Sequence, residues 1–176
     1  MNKLDRLVIE TERMQLVCCD LPMLEAYFDG EATLAKLLDI GMPENWTEFG
    51  EPAFRWTHNA LLQPEGQKEW YCYLPVLKNE NLLVGTCGFK GPPKNGMVEI
   101  GYEIARDYRG QGLATELAAA LIRFAFATPA VNLVQAHTLA VANESGTVLT
   151  KCGMSKMETI TDPEDGTIWR WEVRSK

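Results

Sequence analysis

Arg109, Gly110, Gln111 and Gly112 stand between an apolar run, Met97 to Ala105, and an alanine-rich segment, Leu113 to Ala127. Glycines at 110 and 112 let the backbone turn tightly with no Cβ in the way, so successive N–H groups can converge on one oxyanion. A helix predicted from Leu113 adds its positive N-terminus to the cradle. The chemistry served by this spacing is the binding of a phosphate-bearing ligand. Several folds use the device, and the neighbours of the glycines separate them. A P-loop requires Gly-Lys-Ser/Thr at its end, whereas Gly112 is followed by Leu113 and Ala114. A dinucleotide fingerprint requires a third glycine and an acid about twenty residues on. This chain has Thr115 instead, and no acid at the end of its next strand, Leu133 to Thr138.

What remains, Arg109-Gly110-Gln111-Gly112-Leu113-Ala114, resembles the Arg/Gln-x-x-Gly-x-Gly/Ala signature of the GNAT acyl-CoA N-acyltransferase superfamily. Val8 to Leu16 resembles the opening strand of its ribosomal-protein N-terminal acetyltransferase branch, and Pro43-Glu44-Asn45-Trp46 the loop after that branch's first helix. Glu99-Ile100-Gly101-Tyr102 resembles its central strand, and Asn143 to Met154 its last helix and the turn beyond. The resemblance implies one α/β domain over 1–176, a mixed, mostly antiparallel twisted sheet splayed at the cofactor site and flanked by helices. It implies transfer of acetyl from acetyl-CoA to a primary amine, a protein or peptide N-terminal α-amino group, by direct attack in a ternary complex. Two alternatives stand beside it: a non-catalytic acyl-CoA-binding or sensing domain, and an acetyltransferase acting on a small-molecule amine.

The resemblance also assigns residues. Arg109, Gly110, Gln111, Gly112, Leu113, Ala114 and Thr115 bind the pyrophosphate through backbone amides, with Arg109 adding charge. The pantetheine arm runs antiparallel to the strand end at Glu103, Ile104 and Ala105. An α-amino group with a pKa near 8 is about a tenth neutral at pH 7, whereas a lysine amine near 10.4 is almost wholly protonated. The need for a base therefore depends on the acceptor. Glu99 stands where some superfamily members carry a catalytic glutamate; Glu103, two residues on along the same strand face, is the second choice. For the leaving thiolate, many members place a tyrosine in the last helix, where this chain has Leu149. The ribosomal-protein branch carries a serine one turn earlier, which Ser145 matches. Serine is a poor acid, so it would act as a hydrogen-bond donor or relay through water. Asn143 is placed as the N-cap of that helix, with contact to the pantetheine arm as its further role.

At 176 residues, 46% hydrophobic and 23% charged, the composition is that of one ordinary globular domain. A net charge of −7 argues against a dedicated nucleic-acid binder and suits either cationic acceptors or plain solubility. Five cysteines, at 18, 19, 72, 87 and 152, show no CxxC spacing, and His58 and His137 are the only histidines. No metal site is expected, and the thiols read as small buried hydrophobes. Residues 1–25 carry charges throughout, and nothing approaches the ~20 apolar residues of a membrane span. The expected location is cytoplasmic, with no membrane partner; a homodimer is left open.

These residues must be positioned by elements the pattern also predicts. Arg13 to Val17 alternates as a first strand. Asp20 caps a helix containing Pro22, which Gly30 divides into two short ones. Gly41 to Gly50 is a loop, and Pro52 starts a helix through Leu62. Trp70 to Leu77 and Leu82 to Phe89 form a hairpin in which Pro75 forces a bulge or an unpaired side. Met97 to Ala105 completes a meander. Leu113, Leu117, Leu121 and Phe124 share one face of the following helix. Leu133 to Leu139 is a strand, Asn143 to Cys152 a helix ending at Gly153, and Met154 to Ile160 and Thr167 to Val173 a terminal hairpin around Asp162 to Gly166.

Overall fold

In the computed structural model, which describes residues 6–163 and 165–175, the first predicted strand becomes two. β1 (Val8–Glu10) and β2 (Met14–Cys18) form an antiparallel hairpin, closed by the Thr11 amide donating to the Met14 carbonyl at 3.0 Å. Residues 1–5, Glu164 of the terminal turn and Lys176 lie outside the described residues. The Asp20 side chain caps α1 (Leu21–Phe28) by accepting from the Met23 amide, and Gly30, at φ 129°, breaks the chain before α2 (Glu31–Leu38). α3 (Gly50–Leu61) opens two residues before Pro52.

A 3-10 turn at Lys68–Trp70 precedes β3 (Cys72–Leu77). The expected Leu82 to Phe89 strand is split at Val84 into β4 (Leu82–Leu83) and β5 (Gly85–Phe89). The break lies opposite Pro75. β4 pairs with Val76 and Leu77 and β5 with Cys72 and Tyr73, while the Val84 amide still donates to the Pro75 carbonyl at 3.0 Å. A proline can accept from its neighbour there but has no N–H to return. β6 (Met97–Ile104), α4 (Leu113–Phe126), β7 (Leu133–Leu139), α5 (Glu144–Lys151), β8 (Ser155–Asp162) and β9 (Gly166–Arg174) follow as the pattern predicts.

The nine strands make one sheet in the order β1-β2-β3-β5-β6-β7-β9-β8, with β4 beside β3. Every pairing is antiparallel except β6 with β7, which needs a crossover, and α4 supplies it. That parallel pairing covers three positions only: Met97 opposite Leu133, Val98 opposite Val134 and Glu99 opposite Gln135. Pairing of β6 with β5 continues to Ile104, opposite Gly85. Beyond Glu99 the two strands therefore part, leaving one edge of β6 without a neighbour.

Two apolar layers hold the parted sheet. On one side Leu113, Leu117, Ala118, Leu121, Ile122 and Ala125 of α4 are buried against Val98, Ile100, Val134 and Ala136. Trp70, Tyr73, Phe89 and Phe124 extend that layer, their ring centroids 5.0 to 6.4 Å apart. On the other, Met23, Leu24, Leu34, Leu38, Trp46 and Phe54 cover Leu74, Val76 and Leu83. Trp46 is fully buried and its Nε1 donates to Glu31 Oε1 at 2.8 Å, so the Pro43 to Trp46 loop is plugged into this second layer. With even positions of β6 turned to α4, its odd positions, Glu99 and Glu103 among them, face the opposite side.

Candidate active site

Gly110 and Gly112 take φ values of 74° and 79°, the left-handed region that a Cβ disfavours. Among the described residues the amides of Gly110, Gln111 and Gly112 donate to no group. Those of Leu113 and Ala114, at the start of α4, have no intrahelical acceptor. A row of five free N–H groups thus sits at the positive end of α4.

The turn is braced from behind. Arg13 Nη1 donates to the Gln111 carbonyl at 2.8 Å, and Arg13 Nε pairs with Glu116 Oε2 at 2.7 Å. Glu116 Oε1 also accepts from Thr11 Oγ1 at 2.6 Å and from the Arg13 amide at 2.7 Å. Burial works to raise the Glu116 carboxyl, but the bonds from Thr11 and Arg13 outweigh it and hold the group below its usual value. A carboxyl depressed by folding contributes stability above its unfolded value, near 4.3, and loses it as pH falls through the folded one. Glu116→Gln is therefore expected to lower unfolding stability by about 1–2 kcal/mol at pH 7, given the exposure of Arg13. Urea denaturation at pH 7 and again below pH 4 checks this: the deficit should shrink at the lower pH.

Arg109 is engaged elsewhere than the sequence implies. Its Nε donates to the Ile104 carbonyl and its Nη2 pairs with Glu48 Oε1, both at 2.7 Å. The guanidinium ties the end of β6 to the loop before α3 instead of standing free beside the amides.

The Lys90 amide donates to the Glu99 carbonyl and the Ala105 amide to the Val84 carbonyl. Odd residues of β6 therefore direct their backbone groups toward β5, and by alternation Ile100, Tyr102 and Ile104 direct theirs into the gap. Of the expected strand end at Glu103, Ile104 and Ala105, only Ile104 directs its backbone groups into the gap, and Arg109 Nε donates to its carbonyl. Tyr102, which the sequence pattern did not single out, directs both of its backbone groups there. The Glu103 side chain is only 8% exposed and accepts from Thr47 Oγ1, from the Glu48 amide at 2.8 Å and from Thr86 Oγ1 at 3.0 Å. A carboxylate engaged in this way anchors the loop between α2 and α3.

Glu99 lies where the strands part. Its Oε1 is 2.5 Å from Lys90 Nζ and 2.9 Å from Nδ1 of His137 on β7. Neither partner was singled out by the sequence pattern. Across the gap, Asn143 caps α5 by accepting from the Gly146 amide at 3.1 Å. Ser145 is half-buried in the first turn of α5, its carbonyl 3.4 Å from the Tyr102 hydroxyl. Its own hydroxyl has no hydrogen-bond partner among the described residues. Leu149 is buried in the core, so the place of the family's tyrosine is filled by hydrocarbon. Burial pushes the Cys18 thiol up to about 12 and also raises those of Cys87 and Cys152, keeping them from the nucleophilic thiolate form.

A sheet parted beside a parallel pair, with an unpaired strand edge leading to free amides at a helix start, offers a line of backbone groups to an extended ligand that ends in a phosphate. The profile of the acetyltransferase (GNAT) domain matches residues 20–155, and the chain belongs to that family. An uncharacterized N-acetyltransferase, YjdG of Bacillus subtilis (strain 168), is 31% identical over 135 residues, 74% of this chain and 79% of that protein. The solved structure of RimL, a ribosomal L7/L12 alpha-N-protein acetyltransferase in complex with coenzyme A, superposes with a TM-score of 0.70 at 14% identity, covering 96% of this chain and 98% of that one. A spermidine N-acetyltransferase SpeG chimera from Vibrio cholerae and hSSAT gives 0.65 at 11% identity, covering 93% and 96%. The protein is an N-acetyltransferase of the GNAT fold.

Proposed function

We propose that the chain transfers acetyl from acetyl-CoA to the α-amino group of a protein or peptide N-terminus, by direct attack with both substrates bound. The observation that carries this reading is the row of free amides from Gly110 to Ala114, joined to the free edge of β6. A pyrophosphate needs converging donors with no side chain in front of them, and at Gly110 no atom lies within 4 Å of where a Cβ would stand. Acetyl-CoA supplies the activated acyl thioester; the chain supplies the rest. Gly110 to Thr115 and the α4 N-terminus bind the pyrophosphate, while the backbone groups of Tyr102 and the Ile104 amide pair with the pantetheine arm. Asn143 holds the start of α5 beside that arm, and the Ser145 hydroxyl donates to the leaving thiolate. Direct attack is supported by the Cys18, Cys87 and Cys152 thiols, which burial keeps protonated.

The peptide acceptor is supported by the resemblance of the chain to the ribosomal-protein branch and by the superposition on RimL. The likeness to the SpeG chimera and the net charge of −7 favour a second reading, a small polycationic amine. Thiol release from acetyl-CoA separates them, measured with peptides bearing a free N-terminus, the same peptides N-formylated, and spermidine. Release is expected with the free peptides and should vanish on formylation. Turnover confined to spermidine overturns the peptide acceptor, and release with no amine overturns the reading as a whole.

A further inference from the structure

The base in this site is assigned by a contact that no motif contains. Glu99 and Gln135 are the last paired residues of β6 and β7, and His137 stands two residues further along β7, on the same face as Gln135. Nδ1 of His137 lies 2.9 Å from Glu99 Oε1, so the imidazole and the carboxylate join hands across the strands at the point where they begin to part. Both side chains are largely enclosed, with 21% and 19% exposure. They lie on the face opposite α4, the side on which Glu103 holds the loop between α2 and α3.

We infer that His137 is the general base of the transfer and that Glu99 is its positioning residue. A carboxylate can only accept, so the contact requires the proton of neutral His137 to sit on Nδ1, leaving the Nε2 lone pair free. Nε2 makes no hydrogen bond among the described residues. Glu99 is a poorer choice of base, because its Oε1 already carries two contacts, one of them from the Lys90 ammonium at 2.5 Å. The location suits the reaction. From Ile104 back to Glu99 the strand spans about 16 Å, a length that an extended pantetheine chain covers, so a thioester led along this edge from the 110–114 turn reaches the dyad.

The inference rests on the proposed transfer to an amine. The amine lone pair forms the bond to the acyl carbon, and the carbon–sulfur bond breaks with its pair leaving on sulfur. The proton lost by nitrogen goes to Nε2 of His137, the imidazolium is held by Glu99 until it returns the proton to water, and water protonates the thiolate. Glu99 faces the imidazole from β6, and Lys90, just beyond β5, pairs with that carboxylate. From β9 comes Arg170, its cross-strand partner, which is itself paired with Glu158 of β8 at 2.7 Å and Glu172 of β9 at 3.1 Å.

Two measurements test the assignment. With the best acceptor found for the parent, His137→Gln should lower kcat about a hundredfold and leave the acetyl-CoA dissociation constant within a factor of two. Glu99→Gln should lower it about tenfold and admit the Nε2–H tautomer of His137, since an amide can donate to Nδ1 as well as accept from it. Nitrogen-15 spectra of the parent should show His137 as the Nδ1–H tautomer, with His58→Gln identifying the other histidine. A kcat within threefold of the parent in His137→Gln, an Nε2–H tautomer in the parent, or a Glu99→Gln variant with the parent's kcat and tautomer overturns the assignment while the acetyltransferase reading stands. A parent that turns over no amine overturns that reading instead, and the tautomer in the parent and in Glu99→Gln still decides whether the dyad exists.

Discussion

Gly112→Val is expected to weaken CoA binding by on the order of a hundredfold or more in a protein that still folds. Gly112 sits at φ 79°, and an L side chain in that region costs about 1–2 kcal/mol. If the variant relaxes, the amides of residues 112 and 113 swing away from the common focus. Each hydrogen bond to a charged group contributes about 1.5–3 kcal/mol, so losing two reaches or exceeds the roughly 2.7 kcal/mol of a hundredfold change. The fold itself has room: the nearest atom to a Cβ at 112 is Arg13 Nη2 at 3.5 Å, an ordinary contact. Titration calorimetry with CoA, beside a thermal melt, reads both effects. A folded valine variant with unchanged affinity places the pyrophosphate elsewhere.

Ser145→Ala should reduce kcat roughly ten- to a hundredfold with little change in the acetyl-CoA KM, at 1.4 kcal/mol per factor of ten. A donor to a developing thiolate is charge-assisted and gains more in the transition state than with the neutral thioester. Comparable donors in acyl-transfer sites contribute about 2.7–4 kcal/mol, and a thiolate, being a good leaving group, should need the lower end or less. The substitution is clean, because Asn143 caps α5 and the Ser145 hydroxyl bonds nothing among the described residues. Steady-state kinetics on a normally folded variant decide it. A kcat within a factor of two leaves Ser145 as a residue of the first turn that contributes nothing to stabilising the thiolate.

What could be read from the chain is what short-range chemistry dictates. The 109–115 turn announces itself because tight turning and free amides demand glycine, and the Asp20 and Asn143 caps are set by residues within three positions. The parted sheet came with the family resemblance, since no local pattern marks where two strands stop pairing. Pro75 signals irregularity, but the break falls on its partner at Val84, which the alternation of Leu82 to Phe89 hides. Glu103 looks like a second base because alternation tells only its face. That Thr47 and Glu48 reach it from more than fifty residues away is a property of the folded loop. His137 is silent for the same reason. Its contact with Glu99 exists only through the register of a parallel pair that α4 separates in sequence. Arg109 is legible as a charge, but not as the link between Ile104 and Glu48.

The three-position pairing of β6 with β7 also bears on how the molecule assembles. Strands β3 to β6 follow one another through short reversals, as do β1 with β2 and β8 with β9, whereas α1 to α3 separate β2 from β3, α4 separates β6 from β7 and α5 separates β7 from β8. The contact of β6 with β7 spans α4 and covers only three positions, so it returns few hydrogen bonds for the loop it closes. It is a seam that should open before the longer β2–β3 and β7–β9 ladders, and its amides should exchange with solvent ahead of theirs. In the proposed complex the pantetheine arm lies along this seam as a guest strand. The molecule that is consumed in the reaction would then also stitch the two halves of the catalyst together, fastening it on arrival and loosening it on departure.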